Sequence, residues 1–113
     1  MPTDRFSIIF PRGATYEATF TVENVADIGS ATVWRVRCAM PNAAPFLEAT
    51  TTNGLIVPTT SANSKTLRVP PTTTAAMPLG NGRYDFEVEF PAGVVRRYLA
   101  NQPLQVIPEV GDV

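Results

Sequence analysis

Histidine is absent from the chain, and cysteine occurs once, at Cys38. One thiol cannot form an internal disulfide, and a Ser or Cys nucleophile of the usual kind has no imidazole to serve as its base. Long hydrophobic runs are missing as well: no stretch approaches the roughly 20 apolar residues of a membrane-spanning helix. The opening Met1-Pro2-Thr3-Asp4-Arg5 has neither the basic start nor the apolar core of a signal peptide. Synthesis in a cytoplasm without export is therefore the expectation. Net charge is nearly absent too. Nine basic residues stand against ten acidic ones, a net of −1, which leaves no long-range field to draw in nucleic acid or an anionic membrane. Neither partner is expected. Lys65 is the one lysine and the other cations are arginines. Arginine suits the flat, bidentate and stacked contacts of protein interfaces, although genomic base composition produces the same bias.

Helix has little room, because eleven prolines and many β-branched residues oppose it. What the sequence does have is alternation of period two. In residues 15–25, Tyr16, Ala18, Phe20 and Val22 share one face, and Glu17, Thr19, Thr21 and Glu23 the other. In residues 32–40, Trp34, Val36, Cys38 and Met40 alternate with Val33, Arg35, Arg37 and Ala39. In residues 82–90, Tyr84, Phe86, Val88 and Phe90 alternate with Asp85, Glu87 and Glu89. Each of these strands has one oily and one wet face, as sheets packed face to face require. Shorter strands are expected at 5–10, 46–50, 55–58, 65–69, 94–99 and 104–107. Between them lie turn signals such as Asn53-Gly54, which suits a type I′ hairpin, Gly80-Asn81-Gly82 and Pro91-Ala92-Gly93. Residues 72–77 predict a single helical turn that carries Ala76, Met77 and Leu79 across one end.

With 113 residues, 44% apolar and 17% charged, the chain can bury a core without staples. Residues 1–113 thus predict one all-β domain: an immunoglobulin-like antiparallel β-sandwich of about seven to nine strands. Short extended tails flank it, one of them at 108–113. The predicted core is Tyr16, Phe20, Val22, Trp34, Val36, Leu67, Val69, Tyr84, Phe86, Val88, Leu99 and Val106.

Few residues assemble into chemistry. Cys38 is in phase with Trp34 and Val36, so it reads as a small core residue. Asp85, Glu87 and Glu89 share a strand face at i, i+2 spacing, roughly 6.6–7 Å by rise, which would suit a carboxylate pair for glycoside hydrolysis or a hard cation. The plainer reading is an acidic stripe beside basic neighbours: Arg96 and Arg97 on the next strand, Arg35 and Arg37 on another. Gly80-Asn81-Gly82 precedes a strand and not a helix, so it makes no phosphate cradle. Arg96-Arg97-Tyr98 mixes cation and aromatic like a single-strand groove, but adjacent arginines on a strand face opposite ways. Sugar-binding platforms need exposed aromatics, and most aromatics here fall on oily faces. No catalytic residue, metal or cofactor is expected, and the chain does not read as an enzyme. The candidate interface residues are Arg35, Arg37, Asp85, Glu87, Glu89, Arg96 and Arg97.

The order of elements from Gly13 to Val110 carries a resemblance. Thr52-Asn53-Gly54-Leu55-Ile56 closes one segment, and a Thr-rich crossover leads into Met77-Pro78-Leu79-Gly80. The end is the most telling: Gly82-Arg83-Tyr84-Asp85-Phe86-Glu87-Val88, then Gly93-Val94-Val95-Arg96-Arg97-Tyr98-Leu99, then Val106-Ile107-Pro108-Glu109-Val110. This resembles a family of short proteins encoded among the tail and structural genes of tailed phages and prophages. It also resembles the immunoglobulin-like module at the N-terminus of phage upper-baseplate proteins. The family often has Gly before the final strand, where this chain has Ala100-Asn101-Gln102-Pro103, so a different turn is expected there. The resemblance implies a virion component at the tail, baseplate or fibre-attachment region. Its partners would be other virion proteins, and repeated copies could form a homo-oligomer or symmetric ring. A head-decoration or neck protein would use the same sandwich, and a carbohydrate-binding adhesin module is the alternative of another class.

Overall fold

The computed structural model describes residues 7–108. Eight strands form: β1 (Ile8–Pro11), β2 (Tyr16–Thr21), β3 (Val33–Ala39), β4 (Pro45–Thr50), β5 (Ile56–Pro58), β6 (Ser64–Val69), β7 (Gly80–Phe90) and β8 (Val94–Ile107). One sheet has the order β1-β8-β7-β3-β4, the other β2-β6-β5. The chain therefore crosses between sheets after β1, β2, β4 and β6, the Greek-key winding of an immunoglobulin-like sandwich. All neighbours are antiparallel except β1 and β8, which run parallel from Ile8 beside Leu104 to Pro11 beside Ile107. No hairpin joins these two strands, so nothing local fixes their relative direction.

Alternation decided which residues face inward. Phe20 of β2, Trp34 of β3 and Phe86 of β7 meet at the centre of the sandwich. The Phe20 and Phe86 rings lie 4.9 Å apart, and the Trp34 and Phe86 rings 5.5 Å apart. Antibody domains bridge the two sheets with a disulfide packed on a tryptophan. Here, with one cysteine in the chain, the contact between the sheets at Trp34 is made by the Phe20 and Phe86 rings. Cys38 is fully buried, and burial, aided by the charge of Asp85, pushes its thiol up to about 12. It is a packing residue. Of the predicted core, Tyr16 and Leu99 are only partly buried, and the core also takes in Ile8, Phe10, Ile28, Leu47, Ala49, Ile56, Met77, Phe90 and Leu104.

Several boundaries differ from expectation for local reasons. Asn53 does not head a two-residue hairpin, because β4 and β5 belong to different sheets. Its side-chain carbonyl instead accepts from the N–H groups of Thr50 (3.0 Å) and Leu55 (3.1 Å), and its amide donates to the Glu48 carbonyl at 2.8 Å. Gly80-Asn81-Gly82 is strand and not turn. A Cβ on Gly82 would sit 2.5 Å from the Ala39 carbonyl oxygen, so glycine is there for close backbone approach. The strands expected at 94–99 and 104–107 are one strand, β8. The expected turn at Ala100–Pro103 is replaced by bulges where β8 carries extra residues against β7. Asn101 adopts φ 54° there. Of the strand expected at 5–10, Arg5 and Phe6 lie outside the described residues, as do 109–113 of the C-terminal tail.

The expected helical turn is α1 (Pro71–Ala75), shorter than 72–77. Met77 is buried, but Ala76 and Leu79 are exposed, so only one of the three apolar side chains enters the core. Thr74 fixes this turn to the β1–β2 connection. Fully buried, its hydroxyl donates to the Ala14 carbonyl at 2.8 Å and accepts from the Gly13 N–H at 3.0 Å. The Arg12 guanidinium donates to the Ala75 carbonyl at 2.9 Å, which satisfies an open carbonyl at the end of the helix.

Candidate interface on the outer face of the five-stranded sheet

Three neighbouring strands, β4, β3 and β7, and the first half of β8 turn their polar alternate residues to the outer face of the larger sheet. Pairing places Arg35 opposite Glu87, Glu87 opposite Arg97, and Arg37 opposite both Glu48 and Asp85. The side chains then close into a lattice centred on Arg35. Its Nη1 donates to Glu87 Oε2 at 2.6 Å and its Nη2 to Glu89 Oε1 at 3.2 Å, while its Nε lies 3.6 Å from Glu48 Oε2. Arg37 Nη2 donates to the same Glu48 oxygen at 2.8 Å. Arg97 Nη2 donates to Glu87 Oε1 at 3.4 Å. Three cations thus face three carboxylates, and the lattice is neutral.

Glu87 is the unusual member, because it is 6% exposed. Burial raises a carboxyl pKa, but the hydrogen bond and charge of Arg35, with Arg37 and Arg97, outweigh it and hold Glu87 below its ordinary value. In return, the hydrogen bond to Glu87 leads the effects that raise the Arg35 guanidinium above its own. The carboxylate is ionised at neutral pH, and both of its oxygens accept from arginine.

Five of the seven predicted interface residues come together here: Arg35, Arg37, Glu87, Glu89 and Arg97. Two do not. Arg96 turns to the opposite face, as expected of adjacent strand residues, and lies over the Phe90 ring at 4.6 Å with Asp27 Oδ1 3.4 Å away. Asp85 accepts the Asn101 N–H at 2.8 Å, so it braces the bulge in β8 and is not a free outward charge. Glu48 joins the lattice unpredicted. It alternates outward between Leu47 and Ala49, but only the adjacency of β4 and β3 reveals its partners.

The lattice is bordered by apolar side chains. Val33 and Val95 lie in one row with Glu89 between them, and Val95 is 48% exposed. Ile9 of β1, 49% exposed, stands at the far end of the same face. No aromatic side chain among the described residues is exposed: Tyr16, Phe46 and Tyr98 are half-buried and the others are buried. Among the described residues, no group of three or more His, Cys, Asp or Glu could hold a metal ion, and no helix is long and apolar enough to cross a membrane. No protein-family model matches the chain, and no curated protein matches it in sequence.

Proposed function

We propose that the chain is a structural component of a tailed-phage virion, at the tail, baseplate or fibre-attachment region, and that it works by protein–protein contact and not by catalysis. The observation that carries this reading is the outer face of the five-stranded sheet. Its charges are balanced and held in place by one another, exposed Val95 adjoins them, and exposed Ile9 stands farther along the same face. Arginines fixed before binding lose little side-chain entropy on docking, and a face that joins arginine to apolar residues matches the composition of protein interfaces. The likeness of Gly82-x-Tyr84-Asp85-x-x-Val88 and Val106-x-Pro108-Glu109-Val110 to the phage family adds the setting. Partners on this reading are other virion proteins and further copies of the chain in a ring.

Peptide mass spectrometry of purified particles, with copy number measured against the major capsid protein, tests the proposal. A few to a few dozen copies per particle support a tail, baseplate or neck position. Hundreds of copies move the chain to the head as a decoration protein. Absence from the particle overturns the virion reading.

A further inference from the structure

A cleft of about 360 Å³ lies between the helical turn at Ile28–Ser30 and the connection from β5 to β6. Trp34, 1% exposed, is the least exposed of the side chains that line it. Two donors at this cleft have no acceptor among the described residues. The first is Trp34 itself, whose Nε1–H is closed to solvent and makes no hydrogen bond. A buried N–H without a partner is uncommon, because it gives up water and gains nothing in exchange.

The second donor is Lys65. In β6 it has the parity of Leu67 and Val69, both fully buried, so alternation turns its side chain toward the inner face of the sheet. Its ammonium lies over the Trp34 ring, 5.3 Å from the centroid. Among the described residues no carboxylate pairs with it, although a cation turned toward a core normally has an anion beside it. The wall of the cleft is tied down: the Thr59 hydroxyl donates to the Ser64 carbonyl at 3.0 Å and accepts from the Ser61 N–H at 3.1 Å.

We propose that this cleft binds a carboxylate, with one oxygen on the Lys65 ammonium and the other on the Trp34 indole N–H. The lysine stem is flexible, so the ammonium swings off the ring with the incoming anion and uncovers the N–H. A carboxylate fits the charge as well. Lys65 is the one cation lining the cleft, which matches a single negative charge and leaves a phosphate dianion half unanswered. This inference does not depend on the virion reading, since the cleft is separate from the outer face of the five-stranded sheet.

The chain has one tryptophan, so its indole N–H gives a single resonance in proton–nitrogen NMR of the full chain. The probes are acetate, for a free small acid, and N-acetylglutamate methylamide, for the acidic side chain of another protein, with sodium chloride at matched ionic strength as control. The expected result is a saturable downfield shift of the indole proton, half-complete at about 10 mM or lower with the better probe, and no such shift with chloride. The better probe identifies the source, and either source fits the proposal. Lys65→Met keeps an apolar stem over the ring and removes the charge. It should raise the half-saturating concentration at least about tenfold, with the amide resonances of β3 unchanged as the sign of a native fold. An indole signal that neither probe moves, as for an N–H met by water alone, would overturn the proposal. So would an equal shift with chloride, or binding that a folded Lys65→Met leaves unchanged.

Discussion

The two sheets present solvent with opposite kinds of surface. The five-stranded sheet carries the lattice of Arg35, Arg37, Arg97, Glu48, Glu87 and Glu89, with one carboxylate almost wholly buried. The three-stranded sheet carries hydroxyls: Thr19 pairs with Thr66 at 3.0 Å and Thr21 with Ser64 at 2.9 Å, and an exposed ion pair joins Arg68 to Glu17. Both faces arise from the same alternation, and both are satisfied by partners directly across the strands. The difference is in what happens when a partner is removed. A hydroxyl on the small sheet turns to water at little cost. A side chain in the lattice leaves Glu87 or Arg35 with a charge it cannot hydrate freely. The large sheet is thus ordered by its own charges, and the small one is merely wetted.

That contrast can be broken at its strongest point first. Glu87→Ala should destabilise the fold by about 2–3 kcal/mol in chemical denaturation, toward the low end for a broken buried pair because Arg35 keeps Glu89 and Glu48. A double-mutant cycle between Arg35→Ala and Glu87→Ala should give a coupling of about 1–2 kcal/mol, where a merely wetted pair would give almost none. The pH dependence sharpens the same point. Because Glu87 is held below its ordinary value, its stabilisation is fully present above the unfolded carboxylate range near pH 4.3 and is lost as pH falls through the lower folded value. The stability gap between the native chain and Glu87→Gln should therefore be constant from pH 7 to about pH 5, then narrow steadily below pH 4. On the small sheet, Arg68→Ala should cost about 0.2–1 kcal/mol and lose half or more of that effect in high salt. Smallest of all, Thr19→Val with Thr66→Val should move stability by less than about 0.5 kcal/mol, since valine suits a strand and both hydroxyls leave together.

The face of each residue was legible in the sequence, but its neighbours were not. Phe20, Trp34, Val36, Phe86 and Val88 are inward where period two puts them. Arg35, Arg37, Glu87 and Glu89 are outward for the same reason. Strand order is a long-range property, however, so nothing near Glu48 announces that β4 lies beside β3. Nor does anything near Ile8 announce a parallel partner a whole domain away. Bulges are illegible for a related reason. Residues 94–99 and 104–107 read as two strands because Ala100-Asn101-Gln102-Pro103 breaks the alternation, and only the pairing with β7 shows that the ladder continues through the break. Asp85 illustrates the consequence. Its parity with Glu87 and Glu89 suggested a stripe of three, but the bulge opposite it supplies the Asn101 N–H and takes it out of the lattice. Glycine misled in the opposite sense, since Gly82 serves a close approach to the Ala39 carbonyl of the neighbouring strand and not a turn.

The most direct test of the outer face as an assembly surface is the incorporation of a variant that spares the buried pair. Glu89→Ala with Arg97→Ala removes two peripheral members of the lattice, whose side chains are 33% and 52% exposed, and leaves Arg35 on Glu87. Particles would be produced with this variant as the only source of the chain, and its copies counted by peptide mass spectrometry. The account predicts a fall of at least about tenfold in copies per particle, a docking loss near 1.4 kcal/mol, with the purified variant still folded. Full incorporation at the native copy number would contradict it.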